Sequence, residues 1–396
     1  RVHRVPPLSV PDRQDGTGNV LGYSSVQLLV ARTKALHSAF SPQADELLMM
    51  AAVCRRLDGI PLAIELAAAR TATLGLKQVA ARLDDRFALL TGGRRTALPR
   101  HQTLRAALDW SYELLSEVEK RLLRRLSVFA GGFTLEAAAA VAEQPPGSLS
   151  STVTDIAALL DKSLISQATS TSGGRWQLLE TTRAYAAEKL VALGEAEPTA
   201  RRHAEYYRDL AQRAVPAAQS GSTADHMTLL EREMDNVRAA LDWAFSPRGD
   251  SSVGVVLTAA YAAVWIGASL IAECRERVER ALENLESRSD LSKHSDLMLH
   301  MSLGAALYHC TGTVERTGIV LARALEAAER QDDQDTQLRA LWAMWSFRYN
   351  SGQMRKAQPL AERFARIAGR AGRTAEGLVG DRLLGTTLHH VGQQPQ

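Results

Sequence analysis

Cysteine is scarce in this chain, and its placement excludes more than its number does. Cys54, Cys274 and Cys310 are the only three in 396 residues and never form a Cys-x-x-Cys pair. Neither a disulfide framework nor a cysteine zinc site is implied, and a reducing, cytoplasmic setting is expected. Lysine is nearly as sparse, at seven residues, so the basic side is almost all arginine, yet the net charge is only +3. That balance does not read as a nucleic-acid surface. Aromatic residues make up 5% of the chain, and alanine-rich runs replace them, which favours helices. Long apolar runs are also missing, with one segment to weigh. The twenty residues from Val253 to Ala272 carry no formal charge and are about long enough to span a bilayer. Small residues supply much of the segment and Gly267 interrupts it, so it reads as two soluble helices meeting near Gly267, and no membrane partner is expected.

Catalytic motifs are missing as well. No Gly-Lys dipeptide occurs anywhere, so no Gly-x-x-x-x-Gly-Lys-Ser/Thr loop is present to cradle phosphates. No strand ending in acidic residues offers a magnesium site. There is no His-Glu-x-x-His and no Gly-x-Ser-x-Gly, and the ten histidines cluster only at His389-His390, which reads as helix surface. Asp381 and Arg382 lie nearby without a nucleophile. No catalytic or metal-binding residue is assigned, and these residues alone are not expected to hydrolyse ATP.

What is present centres on one stretch, Cys54-Arg55-Arg56-Leu57-Asp58-Gly59-Ile60-Pro61-Leu62-Ala63-Ile64-Glu65. Leu47, Leu48, Ala51 and Ala52 recur at helical spacing up to Leu57. Gly59 can take the left-handed conformation that stops a helix, and Pro61 suits the first turn of the next. That next helix is apolar nearly all round, which marks it as buried.

Gly59-Ile60-Pro61-Leu62-Ala63 resembles the Gly-x-Pro-Leu-Ala motif of NB-ARC-like signalling ATPases, the STAND class. With Leu89 to Arg95 and Arg105 to Tyr112, the run is similar to bacterial winged-helix transcriptional regulators that carry such an ATPase. The resemblance implies a mainly α chain: residues 1–20 as the extended end of a nucleotide-binding core, 21–97 as a helical ARC-like subdomain, 98–193 as a winged-helix domain with a small hairpin, 198–289 as a helical linker or repeat region, and 290–396 as truncated TPR-like helical repeats. It implies that ATP or ADP is bound in the intact protein, with none secure for these residues alone. Gly59 and Pro61 would lie on the adenine side, the proline ring packing against the base. In relatives a Met-His-Asp motif senses the phosphates, whereas here the equivalent triplet is Leu178-Leu179-Glu180. Leucine cannot donate to a phosphate. Glu180 and Arg183 remain as weaker candidates, Glu180 orienting Arg183 or capping its helix. The implied partners are the chain's own upstream nucleotide-binding core, an unknown effector or protein at the repeats, DNA only through an effector domain elsewhere, and a second copy on activation. The chain is expected to be a fragment at both ends.

The residues themselves predict helices over Ser25 to His37, Pro42 to Leu57 and Leu74 to Leu90 around the hinge, as a four-helix cluster. Thr103 caps a helix to Leu115, and Ser116-Glu117-Val118-Glu119 is a capping box for the next, which carries Leu122, Leu126 and Phe129 inward. Thr134 caps a short alanine-rich helix. Thr154 or Asp155 starts another, and Ser163 to Thr169 with Arg175 to Leu179 form a hairpin. Three helices and a hairpin make a winged helix. Its recognition position, Ile156 to Lys162, offers one lysine and two acids, which is poor chemistry for base edges. Arg121, Arg124 and Arg125 read as a solvated face of an earlier helix.

From Arg201 the chain is expected to be all helical. Leu303 to Leu307, Trp345 to Tyr349 and Leu384 to Leu388 share a bulky-small-x-x-bulky pattern, each followed by a turn glycine at Gly312, Gly352 or Gly392. Such spacing suits helix pairs, the small residue allowing close approach. Trp342, Trp345 and Tyr349 fall on one stripe and are expected in the core, with Arg339 and Arg348 off it. Two readings stand: the switch and sensor portion of an ATP-binding regulator, or a helical-repeat scaffold for a protein partner without any nucleotide role.

Overall fold

The computed structural model describes residues 7–12, 17–37, 40–83, 104–142, 149–167, 174–219, 223–286, 293–331, 334–370 and 374–392. They form two compact units, Arg1–Thr199 and Ala200–Gln396. Both are mainly helical.

The first unit opens with an extended segment, then a 3-10 turn at Thr17–Gly22, and helices α1 (Ser24–Leu36), α2 (Ala44–Arg56), α3 (Pro61–Leu74) and α4 (Leu76–Arg82). Their apolar faces meet in one core of Val26 and Leu29, Met50, Cys54 and Leu57, Ile64 and Ala67, and Val79. As its composition predicts, α3 buries Ala63, Ile64, Leu66, Ala67 and Ala68 while leaving Pro61 and Glu65 exposed. Truncating one of the large core residues, such as Leu29→Ala, removes packing worth about 2–5 kcal/mol. The expected continuation of α4 to Leu90 lies outside the described residues, as do Thr103 and Leu89 to Arg95.

The winged helix follows: α5 (Leu104–Glu113), α6 (Glu117–Leu126), β1 (Phe133–Thr134), α7 (Leu135–Ala142), α8 (Leu149–Asp161), β2 (Ile165–Gln167), β3 (Arg175–Leu178) and α9 (Glu180–Ala192). The capping box is present: the Glu119 N–H donates to Ser116 Oγ at 3.3 Å and the Ser116 N–H to Glu119 Oε2 at 2.8 Å. Leu122, Leu126 and Phe129 are buried, and Phe129 stacks on Phe133. Three expectations are corrected. The hairpin is part of a three-stranded antiparallel sheet of order β1-β3-β2, with Phe133 opposite Trp176. A two-residue strand after Gly131-Gly132 is too short for periodicity to reveal. Helix α8 begins at Leu149, and Thr154 lies inside it, its hydroxyl donating to Ser150 O at 3.0 Å instead of capping. Arg124 and Arg125 are not a solvated face. Arg124 is buried, donating to Tyr112 Oη and to Glu195 Oε1, each at 2.7 Å, and Arg125 is 3.5 Å from the same carboxylate.

Apolar packing joins these two parts of the first unit. Tyr185 of α9 is buried in the core of α1 to α4, with Leu108 and Tyr112 of α5 packed beside it. The winged helix completes the helical subdomain's core.

The second unit continues from α10 (Ala196–Gln219) through α11 (Thr223–Arg232), α12 (Met234–Ala244), α13 (Ser251–Gly267), α14 (Ile271–Glu286), α15 (Lys293–Thr311), α16 (Glu315–Gln331), α17 (Gln334–Asn350), α18 (Met354–Arg370) and α19 (Thr374–Val391). The uncharged segment is two helices parting after Gly267, and no described helix is long and apolar enough to cross a membrane. Ion pairs run from helix to helix at repeating separations: Arg238 to Glu273 and Asp242 to Arg277 at 35 residues, Glu279 to Arg316 at 37, and Glu329 to Arg363 at 34. Such a ladder is the signature of stacked helix pairs.

Gly312, Gly352 and Gly392 end their helices with φ of 74°, 73° and 78°, which only glycine adopts cheaply. The small-residue argument holds at Gly304, where an added Cβ would lie 2.3 Å from Leu321 Cδ2, but not at Gly385, which faces open space. The aromatic stripe is also corrected. Trp345 and Tyr349 are partly buried and stacked on each other, whereas Trp342 is 47% exposed.

Candidate functional site at the hinge

Helix α2 stops because two consecutive residues turn left-handed: Asp58 at φ 55° and Gly59 at φ 66°. The turn satisfies the freed carbonyls, the Gly59 N–H donating to Cys54 O at 3.2 Å and the Asp58 N–H to Arg55 O at 3.1 Å. Gly59 has a second constraint. The Leu8 N–H donates to Gly59 O at 3.0 Å, and a Cβ at Gly59 would sit 2.1 Å from Leu8 O. The extended segment is therefore clamped against the hinge, and Ser9 and Ser24 fasten its other side through their hydroxyls at 2.9 Å. Gly59 serves backbone geometry.

Pro61 occupies the first turn of α3 and is exposed. Lacking an N–H, it costs the helix start no hydrogen bond, and its ring offers a flat apolar surface.

The hinge reaches the winged helix through Asp58. Its Oδ2 accepts from the Thr181 N–H at 2.7 Å and from the Thr181 hydroxyl at 2.8 Å, so a residue of the helical subdomain caps the first turn of α9. Burial pushes the Asp58 carboxyl above its ordinary range, and the Thr181 donors hold it partly back. Glu180 and Arg183, the two weaker candidates, are placed beside this cap and closed on each other. Arg183 Nε and its terminal nitrogen donate to the two Glu180 oxygens at 2.7 and 2.8 Å. Glu180 thus orients Arg183, and its bond holds the guanidinium pKa above the usual value. Leu178 and Leu179 bring no donor to this place.

Behind the cap, the Tyr185 hydroxyl donates to Asp109 Oδ1 at 2.5 Å and Lys189 Nζ lies 3.1 Å from the same oxygen. Burial pushes Asp109 up, but these two donors together hold it below its ordinary value. Lys189 also lies over the Tyr185 ring at 5.1 Å. The structure therefore brings Gly59 to one end of an assembly whose other end holds Glu180 and Arg183. Asp58 and Thr181, which link the two, were not singled out in the sequence, because no local pattern announces a bond across 123 residues.

The recognition position of the winged helix is also on view. The exposed face of α8 shows Leu149, Ser150, Val153, Thr154, Ala157 and Asp161, and Lys162 after it is paired with Glu119. Among the described residues no group of three or more His, Cys, Asp or Glu side chains is placed to hold a metal.

Residues 115–191 match a family described as a winged helix-turn-helix domain. A candidate HTH-type transcriptional regulator of Mycobacterium tuberculosis (strain ATCC 25618 / H37Rv) is 39% identical over 273 residues, which is 68% of this chain and 29% of that protein. A protein of the same strain described as uncharacterised is 40% identical over 206 residues, covering 52% of this chain and 50% of that one. The chain thus spans 29% of the length of the regulator it matches. Among solved structures, a Signal Transduction ATPase with Numerous Domains and a tetratricopeptide repeat sensor from Pyrococcus horikoshii overlaps 92% of this chain and 57% of its own. That overlap has 13% identity and a TM-score of 0.34, too loose to superpose one site on another.

Proposed function

We propose that this chain is the switch and sensor portion of a longer ATP-binding transcriptional regulator. In this reading the helical subdomain closes over a nucleotide held by a core outside these residues, the winged helix moves with it, and the helical repeats receive the signal. The regulator similarity of the winged-helix region supports the class of function. The observation that carries the switch is the Asp58 cap on Thr181, which ties the residues beside Pro61 to the first turn of α9. A shift at the hinge cannot leave that helix start unchanged.

The residues fit a nucleotide on one side only. Exposed Pro61 suits an adenine face, and no backbone N–H competes there. On the phosphate side Arg183 is committed to Glu180 and the preceding leucines offer nothing, so phosphate contacts belong to the upstream core. The bound nucleotide supplies a ligand whose presence favours the closed arrangement. DNA is reached through an effector domain elsewhere in the protein, because α8 carries no arginine, lysine, asparagine or glutamine for bidentate base contacts, and the setting is the cytoplasm.

The test is ADP retention by the full-length regulator after gel filtration. Pro61→Ala should release ADP faster, and unchanged retention removes Pro61 from the site. Deleting residues 290–396 should change the response to signal and leave retention in place; the reverse pattern would overturn the division of labour.

A further inference from the structure

The second unit contains a cavity of about 870 Å³, within the range of small-molecule sites. Helices α15, α17 and α19 form its walls, and its floor is apolar, with Leu321, Leu338 and Phe364 all buried. Trp342 stands in its wall at 47% exposure, a large flat surface left to water. One turn away, Trp345 is committed instead, its Nε1 donating to Thr387 Oγ1 at 2.8 Å.

The charges lining the cavity are unevenly neutralised. Asp335 and Glu376 lie in the first turns of α17 and α19, where the helix N-terminus favours a negative side chain. Arg339 and Arg382 lie further along the same two helices, and both are exposed. Neither pairs with an acid among the described residues, whereas Arg316, Arg330 and Arg363 of this unit all do. Two guanidinium groups without an acid partner among the described residues, beside an exposed indole and over an apolar floor, are complementary to one kind of small molecule.

We propose that this cavity binds a small carboxylate with a planar apolar body, its ring against Trp342 and its carboxylate held by Arg339 and Arg382. The proposal rests on the sensor half of the reading above and gives it a ligand class. An aromatic monocarboxylic acid fits both features, while a neutral aromatic satisfies the floor and leaves the arginines in water.

Calorimetric titration of the chain with 2-naphthoate and indole-3-acetate, each beside its neutral amide, tests this. The acids should bind about tenfold or more tightly than their amides, the worth of a charge-assisted contact. Arg339→Gln combined with Arg382→Gln should abolish that preference, and Trp342→Ala should weaken acid and amide alike. All three side chains are exposed, so the fold is not at stake in either variant. Acids and amides binding equally, neither acid binding, or a preference that survives the double arginine variant would each overturn the proposal. The hinge is tested separately: unchanged ADP retention in Pro61→Ala would leave this result standing, and a failed titration would leave the hinge reading untouched.

Discussion

Asp58 and Thr181 are joined by two hydrogen bonds across 123 residues of sequence, one from the backbone and one from the hydroxyl, at 2.7 and 2.8 Å. The bonds connect a helix stop in the helical subdomain to a helix start in the winged helix. Removing the acceptor strands a largely buried N–H. Asp58→Ala should therefore destabilise the first unit by about 1–3 kcal/mol, whereas Asp58→Asn, which keeps an acceptor oxygen, should lose less. Chemical denaturation of the three proteins checks the order, and an Asp58→Ala variant as stable as the wild type would mean that the cap contributes nothing.

The same carboxyl carries a pH signature. Burial raises its pKa in the folded state, so its contribution to stability is fully present below the ordinary aspartate range and is lost as pH rises through the raised value. The advantage of the wild type over Asp58→Asn should shrink as pH rises from about 3.5 toward neutrality. An advantage that grows over that interval would show that the Thr181 donors outweigh burial.

Gly59 tests the backbone argument. An alanine there meets a left-handed φ of 66° and a Cβ placed 2.1 Å from Leu8 O. The conformation alone costs roughly 1–2 kcal/mol, and relieving the overlap must displace the segment that runs past it. Gly59→Ala should lower stability by more than about 2 kcal/mol and expose the bonds near Leu8 to faster proteolysis. A neutral substitution would refute the clamp.

These positions show what a sequence can and cannot disclose. Gly59 and Pro61 were legible because a helix stop and a helix start each demand a particular residue type. The burial of α3 was legible because the helix is apolar nearly all round, and the inward face of α6 because apolar periodicity reports burial. Asp58, Thr181 and Tyr185 were not, since their partners are fixed only when the chain folds back. Arg124 misled for a related reason: a charged residue on an amphipathic helix reads as solvated until Tyr112 and Glu195 arrive to pair it. Trp342 misled in the other direction, because aromatic spacing alone does not separate a core stripe from a cavity wall.

His203 supplies a prediction for the second unit. It is buried against Tyr207, their rings 4.9 Å apart, and burial pushes its pKa down to about 3. The folded state therefore favours the neutral ring. That stability is present above the unfolded value near 6.5 and is lost as pH falls toward the folded value. The thermal midpoint of the chain should decline from about pH 6.5 downward, and His203→Phe should flatten that decline. A variant retaining the full pH dependence would place its origin elsewhere.

The winged helix yields the last prediction, and it concerns what α8 does not display. The strongest base-edge contacts are the bidentate ones made by arginine, lysine, asparagine or glutamine on the exposed face of that helix. Here the face is Leu149, Val153, Thr154 and Ala157, with Asp161 at its end, and the adjoining Lys162 is paired with Glu119. In the sequence between β2 and β3, residues 168–173 include no charged residue. The chain should therefore bind duplex DNA no better than a weak polyanion binder, with a dissociation constant of about 10⁻⁴–10⁻⁶ M, and without sequence preference. Competition between randomised and genomic duplexes at two salt concentrations measures both properties. A discrete protected sequence, with discrimination of about 1–3 kcal/mol at a changed base pair, would show that this domain reads DNA after all. It would also remove the need for an effector domain elsewhere to do so.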